Sequence, residues 1–403
     1  MSGTVADFDV VVIGAGPAGL SLAGSLAAQG LAIALVERQA EASLAAPEFD
    51  GREIALTHFS VEVLRGLGAW ERIPAEAIAP LREARVLDGA GGHALSLSPG
   101  GDQNERLGQL VANHHIRRAL YEAAQGKPNI RLFADSMATG ITAAAGHATL
   151  TLADGASLSA RLIVAADTRF SEMRRRVGIG AAMQDFGASM LVCRMAHEAP
   201  HHAVATEWFG YGQTIAMLPL NATPDCPHLS SLVLTLPARE IERLRTVDDA
   251  AFGAEITSRY QGRLGAMHPV SSRHVYPLVS VYAQRFVAPR FALVGDAAVG
   301  MHPVTAHGFN FGLRGQHVLA GLIAGAVARK SDIGAAALLQ HYERAHRLAT
   351  RPLYLATNAT ARLYTDDSLP ARLLRGAMLR IGARLPPVRQ MMVAKLMEKT
   401  APL

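Results

Sequence analysis

Residues 8–37 read FDVVVIGAGPAGLSLAGSLAAQGLAIALVE, and this stretch decides the fold of the first part of the chain. Phe8–Ile13 is a continuous apolar, β-branched run, which is the pattern of a buried parallel strand. Residues 18–29 are mostly small and predict a helix that Gly30 ends. Residues 31–37 predict a second buried strand. Together they predict one βαβ unit.

Three glycines between the first strand and the helix form the pattern G-x-G-x-x-G at Gly14, Gly16 and Gly19. The first glycine permits a tight turn, the second permits close approach of a pyrophosphate, and the third lets helix and strand pack closely. Glu37 ends the second strand, 18 residues after Gly19, where a carboxylate can hold a ribose hydroxyl. The motif predicts a dinucleotide site but does not choose between FAD and NAD. A looser match at residues 88–94 is assigned to a hairpin turn.

Composition narrows the class of protein. The 403 residues favour two or three domains, and a hydrophobic fraction of 50% supplies a sizeable core. Only two cysteines, Cys193 and Cys226, indicate a reduced cytoplasm and exclude a disulfide framework. Residues 10–36 carry no charge, but their glycines and the preceding Asp7 and Asp9 argue against a membrane span or a signal peptide. We therefore expect a soluble, cytoplasmic chain.

The formal charge of +5 is concentrated at the C-terminus. From Ala371 onward there are seven Arg or Lys and one Glu, so this tail carries 7 − 1 = +6 and the remainder 5 − 6 = −1. A basic tail on a nearly neutral chain argues against general nucleic-acid binding.

The pattern of apolar residues predicts how the rest of the chain is organised. It indicates a hairpin at 85–98, a helix at 110–125, two strands around an Asp154-Gly155 turn, antiparallel strands from about 180, one helix at about 238–262, and a long helix from about Asn310. We predict a Rossmann-type nucleotide-binding α/β domain interrupted by an antiparallel-sheet substrate domain, with a helical C-terminal tail. The predicted boundaries are nucleotide-binding parts at 1–75, 101–179 and 289–345, a hairpin at 76–100 belonging to the substrate domain, the substrate domain at 180–288, and a basic helical segment at 346–403.

A second stretch, FALVGDAAVGMHPVTAHGFNFGLR at 291–314, suggests what the nucleotide site holds. Asp296 at a strand end can accept hydrogen bonds from a polyol such as the ribityl chain of FAD. Pro303 fixes the loop, and Gly308 and Gly312 leave room for a flat ring. The positive end of the helix that begins near Asn310 would stabilise a reduced flavin.

Two groups of histidines lie close enough together in the sequence to raise the question of a metal site. His302 and His307 have a proline between them and no Cys or carboxylate at ligand spacing, so a metal is the weaker interpretation. Pro200 interrupts any helix that would align His197, His201 and His202, and these three are expected at the surface.

These motifs together resemble the class A flavin-dependent monooxygenases. The glycine motif, DGREIALTHFS at 50–60, AADTRFSEMR at 165–174 and GDAAVGMHPVTAHGFNFGL at 295–313 are similar to the ubiquinone-biosynthesis aromatic-ring hydroxylases over most of the chain. The resemblance implies one FAD, NAD(P)H as reductant, O2 as co-substrate, and hydroxylation of a polyprenylated phenol or quinol by a C4a-hydroperoxyflavin. The form HPVTAHGFN is similar to the UbiM-type branch, which implies a demethoxyubiquinol ring and leaves the ring position open.

The resemblance also implies roles for individual residues. Arg52 would lie near the flavin and its pyrophosphate, Asn113 would supply a polar flavin contact, and Asp167 would contact both FAD and the reductant. The other implied cofactor-binding residues are Gly14, Gly16, Ala18, Gly19, Glu37 and Arg38 at the ADP half, Asp296 at the ribityl chain, and Gly308, Phe309 and Asn310 beside the isoalloxazine.

Two residues of the same loop are the predicted catalytic residues. Pro303 would line the flavin ring, and His307 would position or deprotonate the phenol, since an imidazole titrates near neutrality. The chain departs from its relatives at Thr168, Ala306 and His307. Thr168 puts the local handling of NAD(P)H in doubt.

The sequence leaves three alternatives open. Trp208, Phe209, Met217 and Leu218 form either the roof of a dry substrate pocket or ordinary core. The function is either the quinol hydroxylase, a flavin hydroxylase of a soluble aromatic, or a low-turnover flavin-bound scaffold of a biosynthetic complex. The basic tail either packs on its own domain or contacts an anionic membrane or a partner protein through apolar residues such as Ile381, Leu385, Met391 and Leu396.

Overall fold

The βαβ unit lies at the centre of an eight-stranded sheet. The computed structural model describes residues 6–89, 94–99, 105–210, 212–302, 308–365 and 384–399, together with residues 368, 375, 377 and 381. Strand β1 (Phe8–Ile13) is flanked by β2 (Ile33–Val36) and β11 (Ser157–Ala165), and both pairings are parallel. Helix α1 (Pro17–Ala27) connects β1 to β2. The predicted unit is confirmed.

Distant parts of the chain complete this sheet. Strand β8 (Ile130–Phe133) pairs with β2, and β19 (Phe291–Leu293) pairs with β11, again in parallel. Strand β10 (Ala148–Leu152) pairs antiparallel with β11, β9 (Ala138–Ala143) pairs antiparallel with β10, and β18 (Val287–Ala288) borders β19. The predicted turn at Asp154-Gly155 joins β10 to β11, with Gly155 at φ +88°.

A nine-stranded sheet forms the second layer. Its strands are β5 (Glu83–Asp88), β6 (Ala94–Leu97), β12 (Ala181–His197), β13 (Val204–Gly210), β14 (Gln213–Leu220), β15 (Leu229–Pro237), β16 (Met267–Pro269), β17 (His274–Ala283) and β20 (Val299–Gly300). Their order is β20-β17-β12-β15-β14-β13-β5-β6, and β16 also pairs with β12. The predicted antiparallel pairing holds except that β13 and β5 are parallel. The hairpin β5–β6 lies at the edge of this sheet.

Two helices, rather than the single one predicted for 238–262, cover one face of this sheet. Helix α6 (Ala238–Thr246) ends at Val247, whose backbone is extended, and α7 (Asp249–Arg259) begins after Asp248. The Asp248 carboxylate accepts a hydrogen bond from the Ala251 N–H at 2.8 Å, which caps the second helix. The prediction of one helix is therefore wrong, because an N-cap residue starts a new one.

The side chains beneath α6 and α7 form a core of their own. Trp208 and Met217 belong to it, and the Trp208 ring lies 6.1 Å from the ring of Tyr260, which follows α7. These two predicted roof residues are thus ordinary core. Because side chains alternate along a strand, Phe209 and Leu218 point to the opposite face of the sheet. We call that opposite side, which carries Met190, Val192, Glu207, Phe209, Leu218 and Tyr276, the open face.

A three-stranded antiparallel sheet was not predicted. It consists of β3 (Glu53–Leu56), β7 (Gly108–Ala112) and β4 (Ile78–Leu81), with β7 in the middle. The helix predicted from residue 110 therefore begins only at α4 (Asn113–Gln125). Leu110, Val111 and Ala112 are equally compatible with a strand, and pairing with β3 decides their conformation.

Helices cover the parallel sheet. Helix α8 (Gly308–Ala328) begins near the predicted position, packs beside α1, and is followed by α9 (Ala336–Thr365). Further helices among the described residues are α2 (Glu41–Ala45), α3 (His58–Gly66), α5 (Glu172–Arg176) and α10 (Pro386–Met397). Among the described residues, no helix combines the length and apolar character needed to cross a membrane.

The C-terminal helix α10 packs on the protein itself. Its Met392, Val393 and Leu396 lie against Leu95 and Leu97 of the β5–β6 hairpin. Beyond it, Glu398 forms a 2.7 Å ion pair with Arg314 of α8, and its carbonyl accepts the Phe59 N–H at 2.9 Å. Three other apolar residues of the tail, Leu373, Leu374 and Met378, lie outside the described residues.

Two methionines of α10 test whether this docking supports the fold. Met397 is 4% exposed and Met391 is 62% exposed. We expect Met397→Ala to lower the free energy of unfolding by about 2 kcal/mol or more, because it leaves a cavity. The matched variant Met391→Ala should change it by less than about 0.5 kcal/mol. Thermal melts with saturating FAD measure both, and equal losses of Tm would show that α10 is not docked through Met397.

Candidate active site

The loop between β1 and α1 is set by contacts within the protein. Gly14 has φ +104°, and a Cβ placed on it would lie 2.7 Å from the Ala166 carbonyl oxygen. A Cβ on Gly19 would lie 1.9 Å from the Gly14 carbonyl oxygen. Both positions therefore need glycine for the loop to close, whatever binds there. This is the close helix-to-strand packing predicted for the third glycine of the motif.

Gly16 is different, because no contact among the described residues requires glycine there. Its φ is −74°, which any residue adopts, and no atom of those residues lies within 4 Å of a Cβ placed on it. Gly16 is also the N-cap of α1, whose first N–H groups receive no side-chain cap. Open space beside the positive end of a helix is suited to a phosphate.

The Glu37 carboxylate is fixed beside this loop. It accepts hydrogen bonds from the Ala15 N–H at 2.7 Å and the Gln39 N–H at 3.0 Å. Glu37 is half-buried at the end of β2, and the neighbouring Arg38 is exposed. The glycine loop and the predicted ribose-binding carboxylate are therefore in direct contact.

Asp167 follows β11 and lies over the same loop. A Cβ on Gly14 would be 3.0 Å from its Cα. Burial raises the pKa of Asp167, although Ser171 hydrogen-bonds to its side chain. The Asp167 Oδ1 atom is buried without a hydrogen-bond partner among the described residues. Since buried acceptors are normally paired, this oxygen is placed to receive a donor from a bound molecule.

Asp296 lies in a short 3-10 turn, Gly295–Ala297, that follows β19. Its carboxylate pairs with Arg169 at 3.1 Å and remains 38% exposed. A Cβ on Gly295 would lie 2.9 Å from the Ala18 Cβ, so this turn packs against the first turn of α1. Ala18 therefore contacts the protein here. The predicted neighbours Gly14, Gly19 and Asp296 are brought to one place by β1, α1 and β19.

A polar cluster that the sequence revealed only in part lies at the start of β3. Arg52 forms a 2.5 Å ion pair with Asp50, and Asn113 donates to the same carboxylate at 2.8 Å. The Tyr276 hydroxyl donates to the Asp50 carbonyl at 2.7 Å. Burial opposes the charged form of Asp50, but Arg52 holds its pKa below the usual value. Arg52 and Asn113 were predicted site residues, whereas Asp50 and Tyr276 were missed.

The flavin loop predicted at 303–310 is described only at its end. Pro303 and His307 lie outside the described residues, and their catalytic roles stay predictions. The Asn310 amide oxygen accepts the Ser60 hydroxyl at 2.7 Å, and its NH2 donates to the Ala55 carbonyl at 2.9 Å. This buried side chain ties α8 to β3 and α3.

Two glycines near the start of α8 have different surroundings. A Cβ on Gly312 would lie 3.6 Å from the Gly295 Cα and 3.8 Å from the Ala18 Cβ, so Gly312 serves helix packing rather than a flat ring. A Cβ placed on Gly308 would lie 4.0 Å from the Met301 Cβ, and no other atom of the described residues comes as close. Phe309 packs on the main core.

The histidines singled out in the sequence are buried to different degrees. His302 is buried, its ring lies 4.6 Å from the Phe186 ring, and burial lowers its pKa to about 4. The prediction of a surface position is wrong for His197, which is 6% exposed and contacts the Ala199 carbonyl at 2.8 Å and the Ser230 hydroxyl at 2.9 Å. Strand β12 carries it inward. His201 is half-buried, and only His202 is exposed.

Comparison with known proteins shows to which family this arrangement of segments belongs. Residues 7–353 match the FAD binding domain family. The chain belongs to this family. Ubiquinone hydroxylase UbiM from Neisseria meningitidis is 44% identical over 392 residues, which cover 96% of this chain and 84% of that protein. Ubiquinone hydroxylase UbiL from Rhodospirillum rubrum is 33% identical over 391 residues, covering 96% and 89%.

A solved structure has the same fold. The p-nitrophenol 4-monooxygenase PnpA from Pseudomonas putida DLL-E4 superposes with a TM-score of 0.76 at 17% identity, covering 98% of this chain and 99% of that one. The predicted family, its FAD-dependent hydroxylase chemistry and the α/β FAD-binding fold are confirmed.

The described residues fit the family's cofactor, FAD. The open side of Gly16 and the uncapped end of α1 suit its pyrophosphate, and the Glu37 carboxylate is placed for a ribose hydroxyl. Asp167 offers an unpartnered acceptor, and Asp296 keeps part of its carboxylate exposed. These individual contacts with FAD stay predictions.

Gly16 offers a test that separates cofactor binding from folding. We expect Gly16→Ala to leave the FAD-free fold intact but to raise the FAD Kd about tenfold or more, because its methyl group enters the pyrophosphate space. The control Gly66→Ala, in α3, also has open space around its Cβ and should change neither property. Fluorescence titration of FAD and thermal melts of the FAD-free chain measure the two. An unchanged FAD Kd in Gly16→Ala would remove this side of the loop from the cofactor site.

Proposed function

We propose that the chain hydroxylates the aromatic ring of a polyprenylated phenol or quinol in ubiquinone biosynthesis, using FAD, NAD(P)H and O2. The observation that carries this proposal is the 44% identity to a ubiquinone hydroxylase along 96% of the chain. That span includes both the FAD-binding segments and the whole nine-stranded sheet.

We place such a ring on the open face of the nine-stranded sheet. The Asp50–Arg52 cluster lies over this face, because Tyr276 bonds to Asp50 and a Cβ on Gly51 would lie 2.7 Å from Val192 Cγ2. Strand β20, which follows the Asp296 turn, pairs with β17 of the same sheet. The β12–β17 side of the open face is therefore close to the segments predicted to hold FAD.

The chemistry requires little from the protein beyond placement. When bound, FAD passes electrons from NAD(P)H to O2. Overall, one ring C–H, O2, NAD(P)H and a proton give one ring C–OH, water and NAD(P)+. The protein must hold the ring, exclude bulk water and support the charge state of the ring hydroxyl. Apolar side chains such as Val192, Phe209 and Leu218 on the open face suit the first two tasks.

A turnover experiment tests this function. With FAD and either NADH or NADPH, a short-chain prenylated quinol should stimulate NAD(P)H oxidation and gain one oxygen atom that derives from 18O-labelled O2. Para-hydroxybenzoate, a soluble phenol, serves as the comparison and should be a much poorer substrate. Equal rates with both compounds would favour a hydroxylase of soluble aromatics. Oxidation without any hydroxylated product would favour the scaffold.

We also propose that the outward side of the C-terminal segment contacts an anionic membrane, because a polyprenyl substrate stays in the bilayer. Ile381, Leu385 and Met391 are 52%, 48% and 62% exposed, although the inward side of α10 is occupied. Arg384 and Arg389 are exposed beside them. Apolar and basic groups together give reversible attachment, with about 1 kcal/mol from each basic residue near the surface.

Liposome sedimentation tests the membrane contact. The full chain should sediment with anionic vesicles at low ionic strength and be released at high salt, because salt screens the basic residues. The double variant Leu385→Gln, Met391→Gln should bind several-fold less, whereas Leu348→Gln, which changes an 80% exposed leucine of α9, should bind normally. If the full chain ignores anionic vesicles at low salt, membrane access comes from a partner protein.

A further inference from the structure

One carboxyl group stands among apolar side chains on the open face. Glu207 of β13 is paired in register with Ala216 of β14 and Val86 of β5. The same line across the sheet continues through Val233 of β15 to Val192 of β12. Along this line Glu207 is the single acidic side chain.

The direction of the Glu207 side chain follows from its neighbour. Trp208 belongs to the core beneath α6 and α7, and its indole N–H donates to the Gly89 carbonyl at 2.9 Å. Since successive side chains of a strand point to opposite faces, Glu207 points to the open face. This is the face over which the Asp50–Arg52 cluster lies.

Other elements border the position of Glu207. On one side α10 covers the β5–β6 hairpin, where Met392 and Leu396 pack with Val86 and Leu95. On the other side Gly51 touches Val192, which lies three strands, or about 14 Å, from Glu207. Strand β3 reaches the same face through the Glu53–Arg194 ion pair at 2.7 Å. Glu207 thus lies between α10 with the β5–β6 hairpin on one side and the Gly51 segment on the other, and the residue keeps part of its surface accessible.

The other acidic groups around this face are paired with arginines, and Glu207 has no partner among the described residues. Burial alone raises its pKa to about 8, so the carboxyl is mostly neutral at pH 7. The titratable groups that border this face from neighbouring elements are of three kinds. Four ion pairs join Asp88 and Arg375 (3.4 Å), Glu53 and Arg194 (2.7 Å), Asp50 and Arg52 (2.5 Å), and Glu398 and Arg314 (2.7 Å). His274 bonds to Ser272 (2.9 Å) and Tyr276 to the Asp50 carbonyl (2.7 Å), and the others are His114 and His115 of α4 and the exposed Arg389 and Lys395 of α10.

We propose that Glu207 is the residue of the open face that hydrogen-bonds a hydroxyl group of the aromatic substrate. The proposal rests on the proposed function, because it takes a phenol or quinol as the ligand. A neutral carboxyl group carries both an O–H donor and a C=O acceptor, which suits a hydroxyl that can also accept and donate. A buried carboxyl kept only for the fold would be paired within the protein, as the other acidic groups on this face are.

Two substitutions at Glu207 distinguish a neutral hydrogen-bonding group from a base. Glutamine keeps a donor and an acceptor but cannot ionise, whereas leucine keeps the size and loses both. We expect Glu207→Gln to hold the substrate Kd and KM within about threefold and to abolish the fall in activity as pH rises above about 8. Glu207→Leu should raise the Kd about tenfold and lower the yield of product per NAD(P)H. Neither should change the FAD Kd. Glu240→Gln, on α6 at the other face, is the control.

Stability gives a readout that needs no substrate. A raised folded-state pKa means that stability is fully present below the ordinary pKa of Glu and is lost as pH rises toward 8. Glu207→Gln should therefore raise Tm more at pH 8 than at pH 5. An equal effect at both pH values would show that Glu207 is not neutral and overturn the proposal.

Measurements of binding and of turnover separate the proposed contact of Glu207 from the proposed function of the chain. The Kd of a prenylated quinol can be measured by fluorescence without turnover. If wild type binds the quinol but forms no hydroxylated product, the proposed function fails while the Kd of Glu207→Leu still decides the contact. An unchanged Kd in Glu207→Leu overturns the proposal. A loss of kcat of about 100-fold in Glu207→Gln also overturns it, because the group would then act as a base. Should Glu207→Leu not fold, the pH profile of Glu207→Gln gives the decision.

Discussion

The close approach of β1 and α1 is the contact on which the rest of the structure depends. Gly19 sits so near the Gly14 carbonyl that a single methyl group would not fit between them. This contact fixes the first turn of α1 at the carboxyl edge of the parallel sheet. Asp167 after β11 and Asp296 after β19 are brought to the same edge, because carboxyl ends of parallel strands meet there. The dinucleotide site is a consequence of this strand order.

The second sheet is joined to that edge by strands and by arginine side chains. The short strand β20 continues from the Asp296 turn and pairs with β17. Arg169 pairs with Asp296 and donates to the Val279 carbonyl of β17 at 2.8 Å, while buried Arg174 donates to the Ala297 carbonyl at 2.9 Å. These contacts hold the open face of the second sheet close to the predicted cofactor segments. The site is therefore an interface between two layers, each built from segments distant in sequence.

Local sequence patterns predicted the elements whose signal is local. The apolar runs of β1 and β2, the glycine loop, the turn at Gly155 and the antiparallel strands after residue 180 were all predicted correctly. The start of α4 was misplaced because Leu110–Ala112 satisfies either periodicity until β3 pairs with it. The break at Asp248 was missed because Val247 carries no Gly or Pro signal. The three-stranded sheet was missed because its strands are short and separated in sequence.

The residues of the candidate site were likewise predictable only where they follow a local sequence pattern. The loop residues Gly14, Gly19 and Glu37 have a spacing with a direct physical meaning, and they lie together. Tyr276 and Glu207 could not be assigned, because which face of a sheet a residue occupies depends on register with strands far along the chain. Asn310 was predicted to line the flavin, but its amide is used to hold α8 against β3. Polar residues beside a site serve either the ligand or the scaffold, and only their partners decide which.

The strand order of the parallel sheet has a consequence for biosynthesis. Strand β1 acquires β2 almost at once as the chain leaves the ribosome, but β11 appears some 120 residues after β2 and β19 a further 125 after that. At about 5–20 residues per second, roughly 10–50 s separate β2 from β19. During that interval one apolar edge of the central sheet has no partner, and the Asp296 turn does not yet exist. Capture of the flavin is thus a late event, and the nascent chain needs protection of this edge until β19 has been made.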